Sequence, residues 1–131
     1  MKRGYTVIEL ILVIVIIGII FAITVPNLTR GKIVANESAA QANLRIISMA
    51  LENYATANNG IYPTSEASLT GANPPYLSRS FCGSTVSGFT YSCTLQSTTY
   101  TVSATPANCG NTGSHNYNIT LGGGLGTSNC P

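Results

Sequence analysis

Apolar and polar positions divide the chain into three stretches. From Leu10 to Val25 it reads L-I-L-V-I-V-I-I-G-I-I-F-A-I-T-V, with thirteen Ile, Leu, Val or Phe and no charge. On insertion scales these contribute roughly −4 to −8 kcal/mol, at about −0.3 to −0.6 each. Ten of the thirteen are β-branched, so in water the stretch favours strands and aggregation. A bilayer removes that option, because an unpaired strand edge cannot be satisfied in hydrocarbon. Helix remains, and Tyr5 to Val25 at ~1.5 Å per residue spans roughly 32 Å, about one hydrocarbon core.

The pattern then changes period. Pro26 removes a backbone donor and clashes with the preceding turn, so a kink or melted stretch is expected around it, with Gly31 close behind. Ala40, Leu44, Ile47, Leu51 and Tyr54 follow at alternating spacings of four and three, the apolar stripe of a helix packed on something. Glu37, Arg45 and Glu52 fall to its solvated face. Asn58-Asn59-Gly60 ends the helix with residues that tolerate left-handed geometry, and Pro63 prevents resumption. Residues 60–87 are punctuated by Gly60, Pro63, Gly71, Pro74, Pro75 and Gly83 and read as loop. Strands are expected at Phe89–Leu95 and Thr99–Thr105, around a Gln96-Ser97-Thr98 turn, and at Asn116–Leu121. Gly122-Gly123-Gly124 is a flexible turn and no phosphate loop, since no Lys-Ser/Thr follows. The fold class is α+β: a long N-terminal helix, half transmembrane and half amphipathic, packed on a small antiparallel β-sheet head.

Composition narrows the chemistry. Of 131 residues only 8% are charged, with four Glu, one His, four Cys and no Asp or Trp. Carboxylate-pair and metal-dependent catalysis have too few groups, no cofactor is implied, and no enzyme is expected. Lone His115 has no nucleophile partner in the pattern. Lys2 and Arg3 supply the net charge of +2; from Tyr5 onward four basic side chains balance four acidic ones. No basic tract remains for a phosphate backbone, so nucleic acid is not a predicted partner. Cys82, Cys93, Cys109 and Cys130 contain no C-x-x-C and, with a single His, make poor zinc ligands. In a Ser-, Thr- and Gly-rich head they read as disulfides of an oxidising compartment. Three connectivities are possible; Cys82–Cys93 with Cys109–Cys130 is preferred, because each closes a short loop, worth about 3 kcal/mol. Asn27, Asn36 and Asn118 stand in Asn-x-Ser/Thr form.

Glu9 stands at the start of the apolar run, where an acidic group costs up to roughly 3 kcal/mol if it reaches mid-membrane. It is either a carboxylate at the headgroup boundary or a charge kept for a cationic partner. Lys2-Arg3 makes a fair n-region, but no A-x-A cleavage site follows the run.

Arg3-Gly4-Tyr5-Thr6-Val7-Ile8-Glu9 and the apolar run to Pro26 resemble the type IV prepilin N-terminus. The family pattern is a short basic leader ending in Gly, an acidic residue five into the mature chain, then about 20 apolar residues. The resemblance implies that prepilin peptidase cuts between Gly4 and Tyr5 and N-methylates the Tyr5 amine. It implies that Glu9 pairs with that amine in a neighbouring subunit, and that Gly18 and Pro26 are the family's helix-weakening positions. Tyr5 departs from the usual Phe but keeps the ring. The implied organisation is a leader at 1–4, a transmembrane and polymerisation helix at 5–26, an amphipathic helix at 27–59 and a stapled head at 60–131. The implied role is a structural subunit of a type IV pilus, a homo-oligomeric helical filament. It would sit in the inner membrane before assembly, engage the assembly machinery there, and become extracellular in the filament, where adhesion and motility are among the family's roles. Asn59-Gly60-Ile61-Tyr62-Pro63-Thr64 also resembles the segment after the helix in major pseudopilins of type II secretion, which is the alternative. That family's calcium site uses Asp; here Asp is absent and Glu66 is the last acidic side chain.

Overall fold

The computed structural model describes residues 3–131 and resolves into two compact units that meet at Lys32 and Ile33. Met1 and Lys2, part of the basic leader, lie outside the described residues. One helix, α1 (Val7–Ala57), contributes to both units.

In the first unit the helix does not melt at Pro26, the second of the two outcomes expected there: α1 runs through it. Proline still deprives the Ala22 carbonyl of its usual donor. Polar side chains nearby bond back to their own helix. Thr24 Oγ1 donates to the Ile20 carbonyl at 2.8 Å, Asn27 Nδ2 to Ile23 at 3.1 Å and Thr29 Oγ1 to Val25 at 3.3 Å. Each satisfies a polar side chain within an apolar helix, and none of the three reaches the Ala22 carbonyl.

The second unit packs the later part of α1 on one sheet. After α1 come a single helical turn, α2 (Ala67–Thr70), and strands β1 (Thr85–Val86), β2 (Phe89–Gln96), β3 (Thr99–Pro106), β4 (His115–Thr120) and β5 (Leu125–Asn129). The strands pair antiparallel in chain order, an uncrossed meander. The α+β architecture is as expected. Three expected strands are present within a residue or so of their ends, while α2 and β1 fall in the stretch expected as loop and β5 lies where no element was expected.

Burial follows the alternation. Ala40, Leu44, Ile47 and Leu51 of α1 are inaccessible and meet Phe89 and Tyr91 of β2, Tyr100, Val102 and Ala104 of β3, and Tyr117 and Ile119 of β4. Tyr54, last in the predicted stripe, is only half-buried. Leu69, Leu77 and Phe81, from the segment read as loop, complete the core. The helix ends where the Asn-Asn-Gly run placed it: Asn59 and Gly60 take positive φ, and the Gly60 N–H returns to the Ala55 carbonyl at 2.7 Å.

Candidate assembly site

Gly4, Tyr5 and Thr6 precede α1, and Tyr5 is 86% exposed. Glu9 lies in the first turn, where a negative charge meets the positive end of the helix dipole. Its Oε2 accepts from both the Thr6 N–H and the Thr6 hydroxyl at 3.3 Å. In return, the Glu9 N–H donates to Thr6 Oγ1 at 3.3 Å. This is a capping box, with Thr6 and Glu9 satisfying each other's unpaired donors. Its signal in the sequence is the Thr6-x-x-Glu9 spacing ahead of the apolar run.

Beyond the cap, every side chain from Leu10 to Val25 is exposed. The helix is long and apolar enough to cross a membrane, and none of its apolar window is buried. Gly18 has no atom within 4 Å of where a Cβ would stand, leaving a notch in an otherwise bulky β-branched surface. Within the chain, Glu9 meets Thr6; Gly18 and Pro26 share its helix but not its contacts.

The second unit holds the remaining carboxylates, and none behaves as a solvated side chain. Glu37 and Glu52 were expected on the open face of α1; both instead tie α1 to the sheet. Glu37 Oε1 accepts the Ser114 N–H at 2.6 Å and lies 3.2 Å from His115 Nδ1. Burial pushes the Glu37 carboxyl up, but the Ser114 N–H, His115 and the Tyr117 hydroxyl together outweigh it and hold the group below its ordinary 4.5. Glu52 accepts the Tyr62 hydroxyl at 2.8 Å, the Tyr100 hydroxyl at 2.9 Å and the Gly122 N–H at 3.4 Å. Tyr100 also meets Ser48 Oγ at 2.8 Å. Burial, and then the Glu52 charge, push the Tyr100 hydroxyl up to about 12. Glu66 accepts the Phe81 N–H at 2.6 Å, the Cys82 N–H at 3.2 Å and the Ser80 hydroxyl, holding the segment before β1.

Two polar side chains of α1 reach the sheet as well: Asn36 donates to the Thr112 carbonyl at 3.0 Å and Asn43 to the Tyr91 hydroxyl at 2.9 Å. The Asn36 amide is therefore engaged rather than presented. Cys82 is bonded to Cys93 and Cys109 to Cys130, leaving no free thiol among the described residues. The first ties the Glu66-held segment to β2; the second ties the end of β5 to the loop before β4.

No family model matches the chain, and no solved structure matches it. Curated proteins do. The type II secretion system core protein G of Aeromonas hydrophila is 39% identical over 68 residues, 52% of this chain and 47% of that protein. The protein of the same name from Escherichia coli (strain K12) is 37% identical over 68 residues, 52% of this chain and 46% of its own length. The type IV major pilin protein PilA of Myxococcus xanthus (strain DK1622) is 38% identical over 53 residues, 40% of this chain and 24% of that protein. The chain thus spans about half the length of the first two and a quarter of the third.

Proposed function

We propose that the chain, whose N-terminal pattern and relatives are type IV pilin-like, is the structural subunit of a type IV pilus. In this reading residues 1–4 are a leader removed by prepilin peptidase between Gly4 and Tyr5, and the new Tyr5 amine is methylated. The helix over 5–26 holds the subunit in the inner membrane until the assembly machinery transfers it into the filament, which extends outside the cell. There the apolar helices of identical copies bury against one another. Heterologous packing with a non-closing rotation gives an open helical polymer.

The observation that carries this reading is a fully exposed apolar helix with one carboxylate fixed in its first turn. The capping box uses only Oε2 of Glu9. Its Oε1 is the acceptor we assign to the Tyr5 amine of a neighbouring copy, so that cap and intersubunit pair coexist. Out of register, Glu9 would be an unpaired buried charge. The amphipathic helix over 27–59 and the head over 60–131 then form the outer layer.

A second reading, a major pseudopilin of type II secretion, draws support from the relatives named type II secretion system core protein G, which match more of this chain than the pilin does. Against it stand the missing Asp and the commitment of Glu66 to the Phe81 and Cys82 amides. Deleting the gene separates the two: loss of surface filaments with normal secretion supports the pilus, and the reverse supports the pseudopilin.

Glu9→Ala tests the assembly role in either case. Losing one partner of a buried pair costs about 3–5 kcal/mol, roughly 10²- to 10³-fold and more in an assembly equilibrium. The expected result is cleaved, membrane-held, disulfide-bonded protein with sparse or absent polymer. Cleaved protein with normal polymer numbers refutes the pairing.

A further inference from the structure

The sheet has two edges, and they are unlike. At one end β1 is two residues long. At the other, β5 runs from Leu125 to Asn129 with β4 on one side only. Which of its backbone groups are free follows from the register. Thr120 N–H donates to the Gly124 carbonyl and Cys130 N–H to the Ser114 carbonyl. Bonded pairs in an antiparallel ladder alternate. With Asn118 opposite Gly126 and Asn116 opposite Ser128, the ladder bonds of β5 therefore belong to Gly126 and Ser128. The N–H and C=O of Leu125, Thr127 and Asn129 point away from the sheet, and none makes a hydrogen bond among the described residues.

Free edges are usually blunted by charge, proline, a bulge or brevity. β1 is blunted by brevity. β5 reads L-G-T-S-N, without charge or proline, and its register with β4 contains no bulge. Thr127, Ser128 and Asn129 are exposed. The strand is also held extended: Cys130 is bonded to Cys109. An edge fixed in advance loses little conformational entropy when a second strand docks.

We propose that β5 is a docking edge for β5 of a second copy of this chain, forming a two-fold antiparallel contact centred on Thr127. The outward groups are self-complementary about that residue. Leu125 meets Asn129 of the second copy, Thr127 meets its own counterpart, and Asn129 meets Leu125, each pair exchanging two hydrogen bonds. No charge opposes the approach, since Arg79 is the one Lys, Arg, Asp or Glu from Ala67 to Pro131. The short β1 at the far side of each sheet stops propagation, so the product is a discrete pair and not a fibril. A two-fold contact cannot be the repeating step of a polar filament. It joins heads belonging to different filaments, or unassembled subunits, and does not depend on the Glu9 reading.

The test uses the full chain in detergent micelles. Thr127→Cys is treated with a short bis-maleimide, with Thr101→Cys on the outer face of β3 as comparison. A covalent dimer through Cys at 127 is expected, with little through 101; equal yields at both positions, or none at 127, overturn the proposal. Charge exchange gives an independent reading. Thr127→Lys alone and Thr127→Glu alone are expected to lose the dimer, because like charges face each other. Mixing the two restores it, and failure of the mixture to do so overturns the two-fold register. Finally, Thr127→Pro removes an outward N–H but no bond to β4. It is expected to weaken dimerisation roughly tenfold or more while the head keeps its tyrosine circular dichroism. A dimer of unchanged affinity in that folded variant counts against the edge.

Discussion

Replacing Glu52 by Ala removes the acceptor that joins three separate parts of the head to α1. The carboxylate takes hydroxyls from Tyr62, after the helix, and Tyr100, on β3, at 2.8 and 2.9 Å, and more weakly the Gly122 N–H at 3.4 Å. Hydrogen bonds to a charged group contribute about 1.5–3 kcal/mol each, so the two strong ones set an upper bound of about 3–6 kcal/mol. Two features reduce it. Tyr62 is half-buried and its freed hydroxyl reaches water. Tyr100 is 1% exposed, but keeps Ser48 as a partner. The expected loss is about 2–4 kcal/mol, a large share of the roughly 5–15 kcal/mol typical of a domain. Urea unfolding of the full chain in micelles reads it through near-ultraviolet tyrosine circular dichroism. There is no Trp, and every tyrosine but Tyr5 lies between residues 54 and 117. Glu52→Gln, which keeps one acceptor oxygen but not the charge, is expected midway. A Glu52→Ala midpoint equal to wild type, with unchanged slope, would refute this assignment.

Gly113→Ala places a Cβ into the ring of Phe89, which is fully buried; a loss of about 1–3 kcal/mol in the same unfolding assay is expected for such overpacking. Acid and alkali probe different clamps. Glu37, held below its ordinary value, contributes stability that is complete above 4.5 and is lost as pH falls through its lowered pKa. Glu37→Gln is therefore expected to lie below wild type near neutrality and to approach it under acid, when urea midpoints are compared from pH 7 to 2. Tyr100, raised from 10.0 to about 12, contributes stability below pH 10 that is lost as pH rises toward 12. Tyr100→Phe should flatten that alkaline limb.

Much of the fold was legible because it rests on short-range periodicity. Ala40, Leu44, Ile47 and Leu51 repeat at helical spacing and are all buried. In β2 and β3, polar residues alternate with buried Phe89, Tyr91, Tyr100 and Val102 around the Ser97-Thr98 turn. β5 was not legible, since L-G-T-S-N has one large apolar residue and is defined by its pairing with β4. The same reason hid the roles of Glu37 and Glu52. Periodicity assigns them to the solvated face, and the donors that claim them lie 77 and 48 residues further on, at Ser114 and Tyr100. Leu69, Leu77 and Phe81 sat among glycines and prolines and gave no period, although all three are core. Pro26 is a different case, since the helix does not melt there. The helix continues because one proline removes a single ladder bond, at the Ala22 carbonyl, which a long apolar helix tolerates and periodicity does not encode. At the N-terminus, Thr6-x-x-Glu9 could be read directly as a capping pattern, whereas a partner for Glu9 in another copy has no trace in one chain's periodicity.

Processing and polymerisation meet in one measurement: electron microscopy of filaments sheared from the cell surface, with the intact mass of the protein they contain. The expected result is filaments whose subunit begins at Tyr5, carries one methyl group on its amine, and is lighter by four hydrogens for the two disulfides. Filaments lacking this chain would contradict the central claim, as would a mature protein beginning at Met1 or beyond Val25.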